Sequence, residues 1–78
     1  MMIGSDTSGL EVQPAPEGSD SFIPVHKYLL TEQGVPIAEF HFLEELSRDK
    51  VYEFCYMAVT NKIVGTTAGF CMRPLAIR

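Results

Sequence analysis

The most regular pattern of apolar and polar positions in the chain begins at Phe22. Mostly apolar side chains recur there at steps of three and four residues, at Phe22, Val25, His26, Leu29, Leu30 and Gln33. This spacing places them along one face of a helix. Pro24 is tolerated in a first helical turn, and Ser21 is suited to cap that turn. Gly34 can adopt the left-handed conformation that ends a helix.

Alternating patterns predict strands after this helix, over residues 35–42, 51–59 and 71–77. Pro36 places the first of these strands at a sheet edge, or marks the point where the strand begins. Residues 43–46 are typical of a short helical turn, and residues 65–69 of a small connecting loop. We therefore expect an α/β fold with one principal mixed β-sheet, one main helix and a short helical turn.

The N-terminal quarter of the chain carries little regular pattern. Residues 1–10 combine an apolar start with turn-forming residues, which indicates a strand end that runs into a loop. Residues 11–21 include Pro14 and Pro16 and are expected to form an irregular loop. We treat residues 1–78 as a single partial domain. A chain this short is marginally stable by itself and is helped by a bound metal, a partner or another copy.

Composition and charge exclude several classes of function. The formal net charge is −4, and the six Lys and Arg residues are scattered, unlike the basic stripe that nucleic-acid binding requires. No apolar run approaches the ~20 residues that span a bilayer, and residues 1–10 lack the pattern of a signal peptide. Cys55 and Cys71 are too few for a disulfide-rich secreted scaffold and are expected to pack inside strands. We therefore expect a cytoplasmic protein that binds neither nucleic acid nor membranes.

His26 and Glu39 are the main candidates for chemistry. On an apolar helix face, His26 by itself suggests a core histidine satisfied by one backbone hydrogen bond. Glu39 favours a functional role for His26 instead. It shares a strand face with Val35 and Ile37, and a carboxylate that points inward needs a cation. A helix, a glycine turn and a returning strand can bring the two residues together as half of a zinc or manganese site. His41 could join them, but we expect it to be a half-exposed residue at the strand end.

Five segments resemble, in order, the C-terminal part of the cyclase family, which includes kynurenine formamidases (arylformamidases) and isatin hydrolases. They are His26-Lys27-Tyr28-Leu29-Leu30, Gly34-Val35-Pro36-Ile37-Ala38-Glu39, Leu43-Glu44-Glu45-Leu46, Val51-Tyr52-Glu53-Phe54 and Arg73-Pro74-Leu75-Ala76-Ile77. Residues 4–9 and 65–69 are similar to the Gly-x-Asp-Thr loop and the Gly-Thr-containing loop of the family. The resemblance covers nearly the whole chain.

This resemblance implies a metal-dependent hydrolase with the C-terminal part of a swivelling β/β/α fold. By it, His26 and Glu39 match a histidine and a glutamate that complete the family's metal site. The remaining ligands belong to a His-x-Gly-Thr-His-x-Asp motif far upstream in the family, and this sequence lacks that motif. Complete members use zinc or manganese to activate a water molecule, which then opens an amide or lactam carbonyl.

Two kinds of function are therefore expected. In one, the chain is the C-terminal portion of a hydrolase that acts on a small-molecule amide once a complementary chain supplies the N-terminal half. In the other, it is an inactive remnant domain that forms a homo-oligomer with a structural or binding role. The sequence departs from the family at Glu39-Phe40-His41, where Glu-Asn-Leu is common, and at Phe70-Cys71-Met72, where Ser-Pro is usual. Both departures leave the substrate open.

Overall fold

Two short sheets and two helical segments make up the regular structure of the described residues. The computed structural model describes residues 1–66 and 69–78, which divide into two compact units, Met1–Leu43 and Glu44–Arg78. The strands are β1 (Ile3–Gly4), β2 (Ile37–Ala38), β3 (Cys55–Met57) and β4 (Leu75–Ile77). The helices are α1 (Pro24–His26), which continues as a π-helical segment (Lys27–Glu32), and α2 (Glu44–Arg48).

In the first unit, β1 and β2 form a parallel pair. Ile3 lies opposite Ile37 and Gly4 opposite Ala38, and the Ile3 N–H donates to the Pro36 carbonyl at 3.0 Å. A parallel pair needs a long crossover connection, and residues 5–36 provide it. This crossover carries a loop without helix or strand, from residue 5 to residue 23, and then the main helix. The sheet therefore fixes both ends of the crossover, and the loop lies between β1 and the helix start.

The main helix lies where the sequence predicts it but begins two residues later. Its first residue is Pro24, and its N-cap is Ile23, which makes no side-chain capping bond. Ser21, the expected cap, accepts a hydrogen bond from the Ile23 N–H at 3.1 Å instead. After one α-helical turn the backbone widens into the π-helical segment, whose last bond joins the Gln33 N–H to the Tyr28 carbonyl at 3.0 Å. The helix therefore starts with backbone N–H groups that its own N-cap residue does not satisfy.

Gly34 ends the helix and directs the chain back to the sheet. Its φ is +63°, and the following Val35 N–H donates to the Leu29 carbonyl at 2.8 Å. This bond satisfies one of the carbonyls that a helix end leaves open. It also brings Leu29 and Val35 together, and these two residues with Ala38 form the buried apolar core. The core of the first unit thus lies where the helix end meets β2.

We expect Gly34→Ala to lower the free energy of unfolding by about 1–2 kcal/mol, because an L side chain pays that cost in the left-handed region. The space around the Gly34 Cα is open, so the loss would come from the backbone alone. Gly69→Ala is the matched control, since a Cβ there also meets open space and its φ lies outside that region. Urea titrations of the three proteins would measure the difference. Equal midpoints for the Gly34 and Gly69 variants would contradict this account of the helix end.

An ion pair joins the irregular loop to the helix. The Lys27 ammonium donates to the Asp20 carboxylate. This hydrogen bond holds the pKa of Asp20 below its ordinary value and the pKa of Lys27 above its ordinary value. Both side chains lie largely in water, so the contribution to stability is small.

The two pKa shifts predict a bounded pH dependence. Because the Asp20 pKa is depressed, its contribution is present above the ordinary value of 3.8 and disappears as the pH falls through the lower folded value. Because the Lys27 pKa is raised, the contribution disappears again as the pH rises through a folded value above 10.5. Asp20→Asn should therefore lower the denaturation midpoint slightly and uniformly between about pH 4 and pH 10. A deficit that grows within that window, measured by urea titration, would contradict the assignment.

The second unit contains α2 and an antiparallel pair of strands. Cys55, Tyr56 and Met57 of β3 lie opposite Ile77, Ala76 and Leu75 of β4. No described residue of this unit is buried. Large apolar side chains are instead exposed to solvent, and they include Tyr52, Val59, Ile63, Val64, Leu75 and Ile77. The described part of this unit has no apolar core of its own.

The sequence predicts the α/β content, the main helix and the short helical turn correctly, but the single principal sheet is wrong for the described residues. The strands form two separate two-stranded sheets, one in each unit. All three predicted strands are also shorter than expected. β2 stops at Ala38, because Phe40 has a φ of +57° and leaves the extended conformation. Thr67 and Ala68 of the predicted loop 65–69 lie outside the described residues.

Cys55 and Cys71, expected to pack inside strands, are free and exposed. Cys55 lies in β3, which has no buried residue, and Cys71 lies before β4 begins at Leu75. Among the described residues, no helix has the length and apolar character needed to cross a membrane.

Candidate functional site

His26 lies at the meeting point of the irregular loop, the first turn of the main helix and the chain that leaves β2. Its two ring nitrogens face two different carboxylates. The Nδ1 atom lies 2.9 Å from Glu11 Oε1, and the Nε2 atom lies 3.4 Å from Glu39 Oε1. The structure therefore brings His26 and Glu39 together, as the helix–turn–strand geometry predicts. It also adds Glu11, which the sequence does not single out.

Glu11 caps the main helix from a distant part of the chain. Its Oε1 atom accepts a hydrogen bond from the His26 backbone N–H at 2.6 Å, in addition to its contact with the His26 ring. His26 is the third residue of the helix, at the position that an N-cap side chain normally satisfies. Ile23 cannot do this, so the carboxylate of Glu11, 15 positions upstream of His26, takes its place. The same contact favours a negative charge at the positive end of the helix.

The carboxylate of Glu11 is buried and charged. Its side chain is 5% exposed. Burial raises the pKa of this carboxyl, but hydrogen bonds from the backbone N–H and ring of His26, with a further one from the Val25 N–H, outweigh burial and leave the pKa below its ordinary value. The second oxygen, Oε2, is buried without a protein partner among the described residues. Glu11 is thus an anion held in place by His26.

Glu39 is fixed less tightly and remains partly open to solvent. The Leu10 N–H donates to its Oε1 atom at 3.1 Å, and its side chain is 24% exposed. A Cβ on Gly9 would lie 3.6 Å from the same oxygen, so the loop backbone passes directly beside it. The loop that carries Glu11 therefore also positions Glu39. Both carboxylates reach His26 because this loop and the end of β2 lie side by side.

The distance between His26 Nε2 and Glu39 Oε1 suits two ligands of one metal ion. Zn–N bonds of ~2.0–2.1 Å and Zn–O bonds of ~2.0–2.2 Å at a tetrahedral angle place the two ligand atoms about 3.3–3.5 Å apart. The observed separation is 3.4 Å. A charge-assisted hydrogen bond between the same groups would be shorter, at about 2.7–2.9 Å. The two donor types, imidazole nitrogen and carboxylate oxygen, are those that zinc and manganese accept.

Within residues 1–66 and 69–78, no three His, Cys, Asp or Glu side chains are grouped so that they could hold one metal ion. Glu11 does not complete such a group, since it contacts the opposite nitrogen of the ring. An ion bound by His26 and Glu39 would keep open positions for ligands from another chain or another copy.

His41 does not join this pair. Its backbone N–H donates to the Ser5 carbonyl at 2.9 Å, and its ring Nδ1 lies 3.3 Å from the same oxygen. A Cβ on Gly4 would lie 3.1 Å from the His41 ring, so the imidazole packs directly over the β1 backbone. This residue is half-buried, as the sequence predicts for the end of the strand. His41 therefore supports the parallel strand pair.

An open apolar groove lies in the same unit as the His26 cluster. It has a volume of about 530 Å³ and is lined by Ile3, Leu10, Pro24, Val25, Tyr28 and Leu29. Leu10 and Val25 are the chain neighbours of Glu11 and His26, so the groove borders the elements that carry the cluster. Its wall is hydrophobic and includes one aromatic ring.

Comparison with known proteins gives no relative for this chain: no family model, no curated protein and no solved structure matches it.

Proposed function

We propose that this chain supplies two ligands, His26 and Glu39, to a zinc or manganese centre in a hydrolase that acts on an amide or cyclic amide carbonyl. The observation that carries the proposal is the 3.4 Å separation of His26 Nε2 and Glu39 Oε1, with the other ring nitrogen held by Glu11. The resemblance of residues 26–54 and 73–77 to the C-terminal part of the cyclase family supports the choice of reaction. The helix and strand patterns of the sequence suggest the same two residues without reference to that family.

In this reaction the bound metal would lower the pKa of a water molecule and so supply the nucleophile. The chain's own residues prepare that site. His26 and Glu39 would bind the ion through Nε2 and Oε1, and Glu11 orients the imidazole from the side away from the ion. The apolar groove that Leu10 and Val25 line can hold the hydrocarbon part of a small amide.

The remaining ligands are proposed to come from a complementary chain that carries the His-x-x-x-His-x-Asp half of the site, or from a second copy of this chain. A divalent ion bound by two protein ligands alone is incomplete, because zinc sites use three or four. The partial exposure of His26 and Glu39, 26% and 24%, leaves their outer side accessible to such a partner. We place this reaction in the cytoplasm, in keeping with the two free thiols.

The test is hydrolysis of an aromatic formamide by the chain purified from its own cells with whatever partner it retains. We expect turnover that a chelator removes and that zinc or manganese restores, together with a copurifying chain that carries the missing motif. The same preparation from cells with His26→Ala should show no turnover. Activity that survives both the chelator and the substitution would contradict the proposal.

The alternative function is that of an inactive domain that associates with copies of itself. The observation in its favour is the second unit, where no described residue is buried and many large apolar side chains face solvent. Light scattering on the purified chain decides between the two. A stable homo-oligomer that forms without metal, and does not take up metal, would favour this alternative.

A further inference from the structure

We propose that Glu11 is a positioning residue: it holds the His26 imidazole in the tautomer protonated at Nδ1 and so leaves Nε2 free to act as the ligand atom. Only one part of this inference rests on the proposed function, namely that Nε2 binds a metal ion. The tautomer itself follows from contacts within the chain, and it can be measured without metal.

The first step of the argument concerns the hydrogen atom between the two side chains. An ionised carboxylate only accepts hydrogen bonds. Glu11 Oε1 lies 2.9 Å from His26 Nδ1, so the hydrogen in that contact belongs to the imidazole. A neutral imidazole carries one N–H, and placing it at Nδ1 makes Nε2 the nitrogen with the lone pair. The contact between Nε2 and Glu39 Oε1 is longer, at 3.4 Å, so the single N–H of a neutral ring belongs at Nδ1, where the contact is 2.9 Å.

The second step concerns how firmly Glu11 is held. The same oxygen, Oε1, accepts from the His26 backbone N–H at 2.6 Å and contacts the His26 ring. One atom is thus tied to both the main chain and the side chain of a single residue, which fixes the direction of the ring relative to the helix. The Glu11 side chain is 5% exposed, so water competes little for these contacts. Glu11 therefore positions the imidazole with the same oxygen that caps the start of the helix.

The third step is a comparison with metal-bound histidines in general. A ligating histidine almost always donates its other ring N–H to a carboxylate, a carbonyl or water, and this outer partner fixes the tautomer and makes the ligand more basic. Glu11, His26 and Glu39 reproduce that order of partner, ligand and co-ligand. Glu11 contacts the ring nitrogen opposite to Nε2, so it cannot bind the same ion. It acts through His26 instead.

The tautomer can be read from the nitrogen chemical shifts of the ¹⁵N-labelled chain. Only two imidazoles are present, His26 and His41, and a His41→Asn variant assigns them. At a pH where the imidazoles are neutral, we expect the wild-type His26 to show a protonated Nδ1 and an unprotonated Nε2. Glu11→Ala should shift His26 to a mixture of tautomers, while Glu17→Ala, an exposed acid in the same loop, should change nothing.

Glu11→Gln keeps the test open if the alanine variant fails to fold, because the amide oxygen can still cap the helix. In that variant we expect Nδ1 to remain protonated, with a weaker hydrogen bond and faster exchange of its proton with water. A wild-type His26 protonated at Nε2 would overturn the inference. So would an Nδ1 proton that exchanges equally fast in the wild type and in Glu11→Gln.

Zinc titration of the same proteins separates this inference from the proposed function. If both hold, Glu11→Ala should weaken zinc binding about 10- to 100-fold, the usual cost of losing such an outer partner. If the tautomers are as expected but the chain binds no zinc, the role of Glu11 is supported and the proposed metal site is contradicted. Zinc binding with an unchanged tautomer and unchanged affinity in Glu11→Ala would overturn the role of Glu11 alone.

Discussion

Replacing His26 with alanine is expected to abolish metal binding. The proposed ion has only two ligand atoms from this chain, Nε2 of His26 and Oε1 of Glu39, 3.4 Å apart. Losing one of them removes a direct bond, so the loss should exceed the ~10- to 100-fold that follows removal of an outer-shell partner. Glu39→Gln should have a similar effect, since a neutral amide is a poorer ligand for a divalent cation. Calorimetric titration with zinc and with manganese would measure both variants.

His41→Ala is the matched control for this experiment. The ring of His41 packs over β1 and contacts the Ser5 carbonyl, and among the described residues it does not form a metal-binding group with His26 and Glu39. We expect this variant to retain the wild-type affinity for metal even if its stability falls. Two results would contradict the assignment: an unchanged affinity in His26→Ala, or equal losses in His26→Ala and His41→Ala.

Leu29→Ala is expected to unfold the first unit. Leu29 is one of three buried apolar residues in the described part of the chain, and its carbonyl accepts the Val35 N–H that closes the helix. Truncation of a buried leucine costs about 2–5 kcal/mol. A domain of this size seldom has more than about 3–5 kcal/mol of stability in total. Circular dichroism of the variant should therefore show a loss of helix at room temperature.

The neighbouring Leu30→Ala provides the comparison. Leu30 belongs to the same helix and has the same chemistry, but its side chain is 49% exposed. We expect a loss of less than about 1 kcal/mol, because little apolar area is returned to water. Similar destabilisation of the two variants would show that the apolar core does not lie at Leu29.

The parts of the fold that sequence predicts best are those set by local contacts. The three- and four-residue spacing predicts the main helix, and Gly34 ends it through a positive φ that side chains disfavour. The predicted proximity of His26 and Glu39 is also local in origin. The helix, the turn at Gly34 and the return to β2 form one continuous supersecondary unit, so the spacing of 13 residues largely fixes where the two side chains meet.

The parts that sequence does not predict depend on distant segments. Glu11 lies in an irregular loop with no periodic pattern, and only the crossover between β1 and β2 brings it to the helix start. A signal was present in the sequence: Pro24 favours the first helical position, which makes Ile23 the N-cap residue, and Ile23 cannot cap the helix whereas the upstream acid Glu11 can. The sequence does not predict the division into two sheets for a similar reason. Alternation of apolar and polar residues indicates a strand but not which other strand it pairs with.

The Glu11 contact also joins the stability of the chain to its proposed chemistry. The carboxylate that orients the His26 ring is the same one that satisfies the first turn of the helix. The metal site is therefore expected to form only when the loop and the helix are both folded, and metal binding should stabilise the first unit in return. By this coupling, a short chain whose described residues include only three buried apolar side chains would gain order from a bound ion.

The metal content of the tag-free protein, measured by mass spectrometry, with its mass measured by light scattering from the same column peak, tests the central claim most directly. We expect one zinc or manganese ion per site in a species larger than the 78-residue chain, because the two ligands of His26 and Glu39 need others to complete them. An oligomer or monomer without metal, which takes up none when zinc or manganese is added, would contradict the account. It would show that the cluster of Glu11, His26 and Glu39 serves the fold alone.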